Sequence, residues 1–455
     1  MNCTLFETYP RFLPGTGQPG DGAFRQSPFS PFSPSGSIRA SAIILAAGFS
    51  SRMGGFKPLM PLPSPEGERP ALDILLESYF RIGVHDIVVV SGYRGDEVDA
   101  RARQAGTLGV RNLRPEDGMF SSVLLGLAHL PERCTHIFIH PVDVPLVRLL
   151  SLRCLLVAAE AHPNAVCVPV FDGKSGHPPL LPATPEVIRG LFGYGNGGSL
   201  RLALSSLPRV DVPVPDSLMP MDMDTNADYV AMRERARRID LLSPEEASAL
   251  MRIGNIPQEI RKHCLAVGAV GRTLALALQT EGPSHLPDDV LSGGLTHDIA
   301  KGLPRHDKAA GNFFRENALP GMADMVEDHM DLEMAKGGQL SERELVFLAD
   351  KYVCGTRPVP LEERYRKKLE LFAAQSNILA AVRERLERAK SVERHFMLGC
   401  GRDPFDLART ALPDAGADEV ETLDSTLTQR GEKKDINQHW QALPPPVTTS
   451  SRKSC

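Results

Sequence analysis

From Ile43 to about Val230, short apolar runs alternate with stretches whose apolar residues recur at helical spacing. Short continuous apolar runs suit strands buried on both faces, so the alternation predicts a mostly parallel sheet covered by helices on either side. The first run, Ala42 to Ala47, stops at Gly48. Asp86-Ile-Val-Val-Val-Ser-Gly is a second, preceded by a helix over 72–82. Val110 opens a short strand leading to Asn112, and Gly118 with Ser121 and Ser122 marks a helix N-terminus. His136-Ile-Phe-Ile-His-Pro is a further strand. From about Ser243 the period becomes helical throughout. Ser243-Pro-Glu-Glu-Ala supplies a cap, a proline at the first helical position and an acidic first turn. Helical spacing then persists to about Lys390. The flanks show neither period: proline, glycine, serine and phenylalanine crowd one end, and proline, serine, threonine and charge the other. Both flanks are expected to be disordered. The expected division is a leader over 1–38, an α/β domain over 39–232, a charged linker over 233–244, an all-α domain over 245–400 and a tail over 413–455.

Composition narrows the function classes. A formal net charge of −5 gives no general reason to expect nucleic-acid binding. No apolar stretch approaches the roughly 18 residues of a membrane span, and the N-terminus lacks a basic patch followed by an apolar core. The eight cysteines are scattered without a C-x-x-C pair, the pattern of reduced thiols in a cytoplasm rather than a zinc ribbon or disulfide frame.

The first strand ends in Leu45-Ala46-Ala47-Gly48-Phe-Ser-Ser-Arg52-Met-Gly-Gly-Phe-Lys57. A strand that breaks into small residues exposes several backbone N–H groups, and no Cβ blocks the approach of a phosphate chain. Arg52 and Lys57 can neutralise phosphate charge. The spacing is not that of a P-loop, because no Gly-Lys-Ser/Thr follows. Asp143 lies just after a strand, where α/β sheets bind ligands, and prolines 141 and 145 stiffen its presentation. A second acidic cluster, Asp222, Asp224 and Asp228, follows about eighty residues on. One or two carboxylates plus phosphate oxygens and water commonly hold Mg²⁺ in nucleotide chemistry.

These stretches resemble the MobA-like nucleotidyltransferases, most closely the molybdenum cofactor cytidylyltransferases. The signature loop matches from Leu45 to Leu59. Gly118-Met-Phe-Ser-Ser122-Val-Leu-Leu-Gly-Leu, His140-Pro-Val-Asp143, Gly176-His177-Pro178 and Asp222-Met-Asp224-Thr-Asn-Ala-Asp228 follow in the family's order. His140 stands where the family usually has glycine, and Gly197-Gly198 where it often has a more basic loop. The resemblance implies a Rossmann-like, GT-A-like α/β fold. It also implies CMP transfer from CTP to the phosphate of a molybdopterin-type cofactor, with pyrophosphate released; Ala46-Ala47 resembles the members that use CTP rather than GTP. It assigns catalysis to Arg52, Lys57 and Asp143. Nucleotide contacts fall to Leu45, Ala46, Ala47, Gly48, Arg52, Lys57, Gly118 and Ser122, and Mg²⁺ to Asp143 and Asp224. A molybdoenzyme apoprotein or its chaperone is the further partner implied.

In the helical half, His263, His297-Asp298, His306, His329 and Asp350 sit in apolar helical surroundings. Imidazole and carboxylate together suit Mn, Fe or Zn. The order H…HD…D, with His297-Asp298-Ile-Ala-Lys301, resembles the HD-domain phosphohydrolases. That resemblance makes His263, His297, Asp298 and Asp350 the core metal ligands and His306 and His329 the extra pair of binuclear members. Two other readings stand beside the cytidylyltransferase: a nucleotidyltransferase acting on a sugar or alditol phosphate, and an HD-type phosphohydrolase or nucleotide sensor with a nucleotide-binding N-terminal half.

Overall fold

The computed structural model describes residue 29 and residues 32–50, 53–195, 198–279, 286–332 and 340–412. Arg52, Gly197, the leader up to residue 28 and the tail from residue 413 lie outside the described residues.

The N-terminal half runs β1 (Ala40–Ala46), the hairpin β2 (Pro61–Ser64) and β3 (Gly67–Pro70), α1 (Ala71–Arg81), β4 (Ile87–Ser91), α2 (Gly95–Gln104), β5 (Leu108–Arg111), α3 (Met119–Leu127), β6 (His136–Pro141), α4 (Leu149–Ala161), β7 (Val166–Phe171), β8 (Lys174–Ser175), β9 (Leu180–Pro182), α5 (Pro185–Gly193), α6 (Leu200–Leu204), β10 (Arg209–Pro213) and α7 (Asn226–Ala236). The sheet order is β10-β7-β9-β6-β1-β4-β5, with β8 paired to β7. β1 pairs in parallel with both β4 and β6, and β9 runs antiparallel between β6 and β7. The expected α/β architecture, a mostly parallel sheet, is therefore present, with the antiparallel β8 and β9 as additions the sequence pattern did not predict. Ile43 and Ile44 are both fully buried, on opposite faces of the pleat, as a central strand covered twice requires. α3 lies directly on β1: a Cβ at Gly126 would fall 2.5 Å from Ile43, so only glycine allows the approach. The register places Leu45 opposite Pro141, which brings the loops after β1 and β6 to one edge of the sheet.

The helical half comprises α8 (Pro244–Ile253), α9 (Gln258–Leu278), α10 (Leu286–Thr296), α11 (His306–Glu316), α12 (Pro320–Val326), α13 (Glu342–Tyr352), a two-residue hairpin of β11 (Val353–Cys354) and β12 (Arg357–Pro358), α14 (Leu361–Leu371), α15 (Ser376–Cys400) and α16 (Pro404–Ala411). Ser243 caps α8 as its sequence predicts, with the Glu246 carboxylate closing the box. The helical half extends past residue 400, because Leu407 and Ala408 of α16 join the core formed by α9 and α13.

The two halves are not separate beads. One apolar cluster runs from Leu72, Phe138 and Leu150 into Leu250, Phe313 and Val326. At its centre Arg148, between β6 and α4, meets Glu246 of α8: Nη2 lies 2.7 Å from Oε2 and Nε 3.2 Å from Oε1. The same guanidinium donates to the carbonyls of Ile239 and Leu241, inside the segment expected to be a linker. Arg148 is 6 % exposed and Glu246 fully buried. The leader also ends earlier than expected. Phe32 is buried, and the Phe29 ring stacks on Phe313 of α11 at 4.4 Å. Phenylalanines scattered among prolines carry no helical or strand period, yet they bury apolar surface wherever a groove accepts them.

His140, the departure from the family glycine, is fully buried at the end of β6. Its Nε2 donates to the Val144 carbonyl at 2.9 Å, which leaves Nδ1 to accept from the Tyr79 hydroxyl of α1 at 2.8 Å. The ring thus ties the turn carrying Asp143 to the helix behind it. Burial pushes its pKa from the ordinary 6.5 down to about 3.

Two outcomes follow. Arg148→Ala leaves the buried Glu246 unpaired and should lower stability by about 3–5 kcal/mol. Urea denaturation checks this, and a loss below about 1 kcal/mol, the scale of an exposed pair, contradicts it. The unfolded chain protonates His140 below its ordinary pKa while the folded chain does not, so this stability is intact at neutral pH and lost as pH falls. Between pH 6 and 4 the slope from this group is about 1.4 kcal/mol per pH unit. His140→Asn should flatten the measured slope by that amount, and an unchanged slope refutes the assignment.

Candidate functional site

The loops gathered at the sheet edge enclose a cavity of about 200 Å³ lined by Leu45, Ala46, Ala47, Gly48, Lys57, Gly118, Ser122 and Asp143, among others. These are the described residues expected at a nucleotide, and Arg52 lies outside the description. The space a Cβ would take at Gly48 or Gly118 is open, and Gly118 adopts φ +93°, a backbone that side chains resist. Asn112, buried after β5, donates to Ser121 and Ser122 at 2.9 and 3.0 Å and so anchors the first turn of α3 beside the cavity. Ser50, at φ 54°, accepts from the Lys57 backbone N–H at 3.1 Å and shapes the loop.

Lys57 Nζ lies 3.1 Å from Asp143 Oδ2 and 2.5 Å from Asp224 Oδ1. Burial works against its charge, but Asp224 and Asp143 outweigh that and hold the amine above its ordinary pKa. The two carboxylate segments are laced together by the Met223 N–H, which donates to the Asp143 carbonyl at 3.0 Å. Asp222, close by, has its carboxyl raised by burial and by the charges of Asp224 and Asp143. His177 is held below its ordinary pKa by burial, against the pull of Asp143 and Asp222, and its Nδ1 is buried without a partner among the described residues. The sequence motif contained His177, but nothing in its spacing revealed that it faces the carboxylates.

The helical half gathers all six of its expected ligands. His263 comes from α9, His297 and Asp298 follow α10, His306 opens α11, His329 follows α12 and Asp350 lies in α13. They form two overlapping triads, His263–His297–Asp298 and Asp298–His306–His329, each with ligand atoms close enough to share an ion. Asp350 Oδ1 completes the first at 3.4 Å from His263 Nε2 and 3.8 Å from His297 Nε2. Backbone carbonyls orient the rings. His263 Nδ1 meets Gly355 O in the β11–β12 turn, His297 Nδ1 meets Gly294 O, and His329 Nδ1 meets Val326 O, at 2.7–2.9 Å. A proton held on Nδ1 leaves the Nε2 lone pair facing the centre. Burial pushes the His297 pKa down to about 3, which keeps the ring neutral and able to ligate. Burial opposes the Asp298 and Asp350 charges, yet His297 beside the first and Lys351 beside the second hold both carboxyls well below their ordinary range. Among the described residues His297 Nε2 is buried with no hydrogen-bond partner, and Asp298 Oδ1 lies 3.1 Å from His306 Nε2 and 3.5 Å from His329 Nε2, donors that a metal ion would hold together. The donor set fits such an ion.

A cavity of about 110 Å³ opens on these ligands, its rim carrying Lys301, Lys351, Arg364, Lys368 and Arg385. Sequence reasoning noted only Lys301. Arg364 and Lys368 stand one helical turn apart on α14, a spacing shared by ordinary solvated helix faces.

No helix among the described residues is long and apolar enough to cross a membrane. Residues 42–206 match the family described as the MobA-like NTP transferase domain, and residues 260–353 match the HD domain. The molybdenum cofactor cytidylyltransferase of Escherichia coli strain K12 is 28 % identical over 198 residues, which are 43 % of this chain and 97 % of that protein. Among solved structures, a protein from Mycobacterium tuberculosis H37Rv is 25 % identical with a TM-score of 0.36, covering 43 % of this chain and 99 % of its own. A nucleotidyl transferase from Methanothermobacter thermautotroptrophicus is 20 % identical with a TM-score of 0.38, covering 44 % and 98 %. Residues 42–206 thus carry a MobA-like NTP transferase domain and residues 260–353 an HD domain.

Proposed function

We propose that the N-terminal half transfers CMP from CTP to the phosphate of a molybdopterin-type cofactor and releases pyrophosphate. One observation carries the reading: Lys57, Asp143 and Asp224 converge at the mouth of the cavity lined by the Leu45–Gly48 loop. The similarity to the cytidylyltransferase and the Ala46-Ala47 pair favour cytosine and this acceptor over a sugar or alditol phosphate.

In the reaction an acceptor phosphate oxygen bonds to the α-phosphorus while the bond to the bridging oxygen of the β-phosphate breaks, and pyrophosphate carries away the electron pair. Such in-line transfer depends on positioning and charge neutralisation rather than covalent help. The glycine-containing loop after β1 lays backbone N–H groups along the triphosphate. Asp143 and Asp224 offer only hard oxygen donors, the set that suits Mg²⁺, which would neutralise charge on the leaving phosphates. Lys57 rests on the carboxylate pair that would hold such an ion, and its ammonium lies beside the cavity that would take the phosphates. There it stabilises charge on the departing pyrophosphate.

A pyrophosphate-release screen with Mg²⁺, crossing CTP, GTP and ATP with reduced molybdopterin and sugar phosphates, tests the reading. CTP with the pterin should turn over fastest, and equal turnover of CTP and GTP contradicts it. Lys57→Ala should keep the fold and lose about 100-fold or more in rate, the scale of a cation aimed at developing charge. A rate near wild type removes the loop from the mechanism.

We infer that the HD half is a metal-dependent phosphohydrolase centre, because its two triads share Asp298 beneath a rim of cations. Imidazole with carboxylate favours a transition metal retained through purification. His297→Ala should strip that metal, measured by elemental analysis, whereas Asp143→Ala should keep it. Full metal content in the His297 variant refutes the centre.

A further inference from the structure

We propose that Glu246, contributed by the helical half, is a positioning residue for the carboxylate pair of the transferase site; the proposal rests on the transfer reading above. Asp143 and Asp224 come from segments far apart in sequence, and each segment is fastened to Glu246. Arg148, five residues after Asp143, donates to both Glu246 oxygens. Ser217, seven residues before Asp224, donates to Oε1 through its backbone N–H and its hydroxyl, both at 2.8 Å. One fully buried carboxylate therefore holds the base of both arms.

The arms are tied again above this point. Asp216 Oδ2 accepts from the Arg148 N–H at 2.8 Å and Oδ1 from the Leu218 N–H at 2.9 Å. Nearer the carboxylates, the Met223 N–H reaches the Asp143 carbonyl. The result is a ladder with Glu246 as its lowest rung, Asp216 as the next, the Met223 link above and the carboxylates at the top. Glu246 is itself held rigid. Its Oε2 accepts from the Ser243 N–H at 2.9 Å as part of the α8 cap. Burial works against its charge, but the Arg148 guanidinium overcomes this and keeps the carboxyl ionised. A negative charge fixed there receives four donors from the transferase half at once. The helical half thereby sets the spacing of a site it does not touch.

The test separates positioning from simple support. Glu246→Gln replaces one acceptor oxygen with a donor facing donors, and Ser217→Ala removes a hydroxyl that donates to Glu246 and accepts from Arg235 Nη2 at 2.6 Å, while the Ser217 N–H stays in place. Pyrophosphate release from CTP is measured across a Mg²⁺ titration, and exchange of the Met223 amide is followed by hydrogen–deuterium exchange. Both variants should need more Mg²⁺ for half-maximal rate, about 10-fold more for Glu246→Gln, the low end of what outer partners of metal ligands contribute. KM for CTP, measured at saturating Mg²⁺, should stay nearly constant, and the Met223 amide should exchange faster. Folded variants with wild-type Mg²⁺ dependence and wild-type Met223 exchange overturn the proposal. If Glu246→Gln does not fold, Ser217→Ala decides alone. If the wild type releases no pyrophosphate from CTP, the transfer reading fails, and the Met223 exchange still judges the positioning role.

Discussion

The structure depends on a buried ion pair between its halves. Arg148 and Glu246 lose their water together, and the cost is offset only because every remaining polar atom finds a partner: Ile239 and Leu241 carbonyls for the guanidinium, Ser217 and Ser243 donors for the carboxylate. Against a well-packed apolar pair such an arrangement adds little net stability. It does fix one docking geometry, because a shifted interface would strand two charges in an apolar core. The apolar cluster around it supplies the attraction, and the ion pair supplies the register.

The two functional centres solve the same problem, holding negative charge in a partly dry site, by different means. At the sheet edge the carboxylates are partly exposed and are neutralised by a flexible lysine, an arrangement that can open when a substrate brings its own cation. In the helical half the carboxylates are buried among imidazoles whose far nitrogens are locked by backbone carbonyls. That centre is preformed. On the reading proposed above, the first suits a metal that arrives with nucleotide and the second a metal that stays.

Much of this was legible in the sequence, for reasons particular residues show. The strand at Ala40–Ala46 and the helix at Ala71–Arg81 were readable because burial on both faces and helical spacing are local patterns. The grouping of the six residues proposed as HD ligands was readable because histidines are few, thirteen in the chain, and the order H…HD…D is distinctive. Glu246 was read as part of an acidic first turn, and it also closes the cap of α8. Its second role depends on Arg148, ninety-eight residues away, and no local period encodes that meeting. His140 looked like a mild departure until Tyr79 and Val144 were seen to hold it from both ring nitrogens. Phe29 and Phe32 were hidden by neighbouring prolines. Lys57 was expected at phosphate and rests on the carboxylates, since a cation in this site takes the strongest anion within reach.

If the ion pair and the shared core make one cooperative body, the transferase half has no independent folded life in the intact chain. Differential scanning calorimetry of the full-length protein tests this most directly. The account predicts a single endotherm whose calorimetric and van't Hoff enthalpies agree. Two resolved transitions, one for each half, would contradict it.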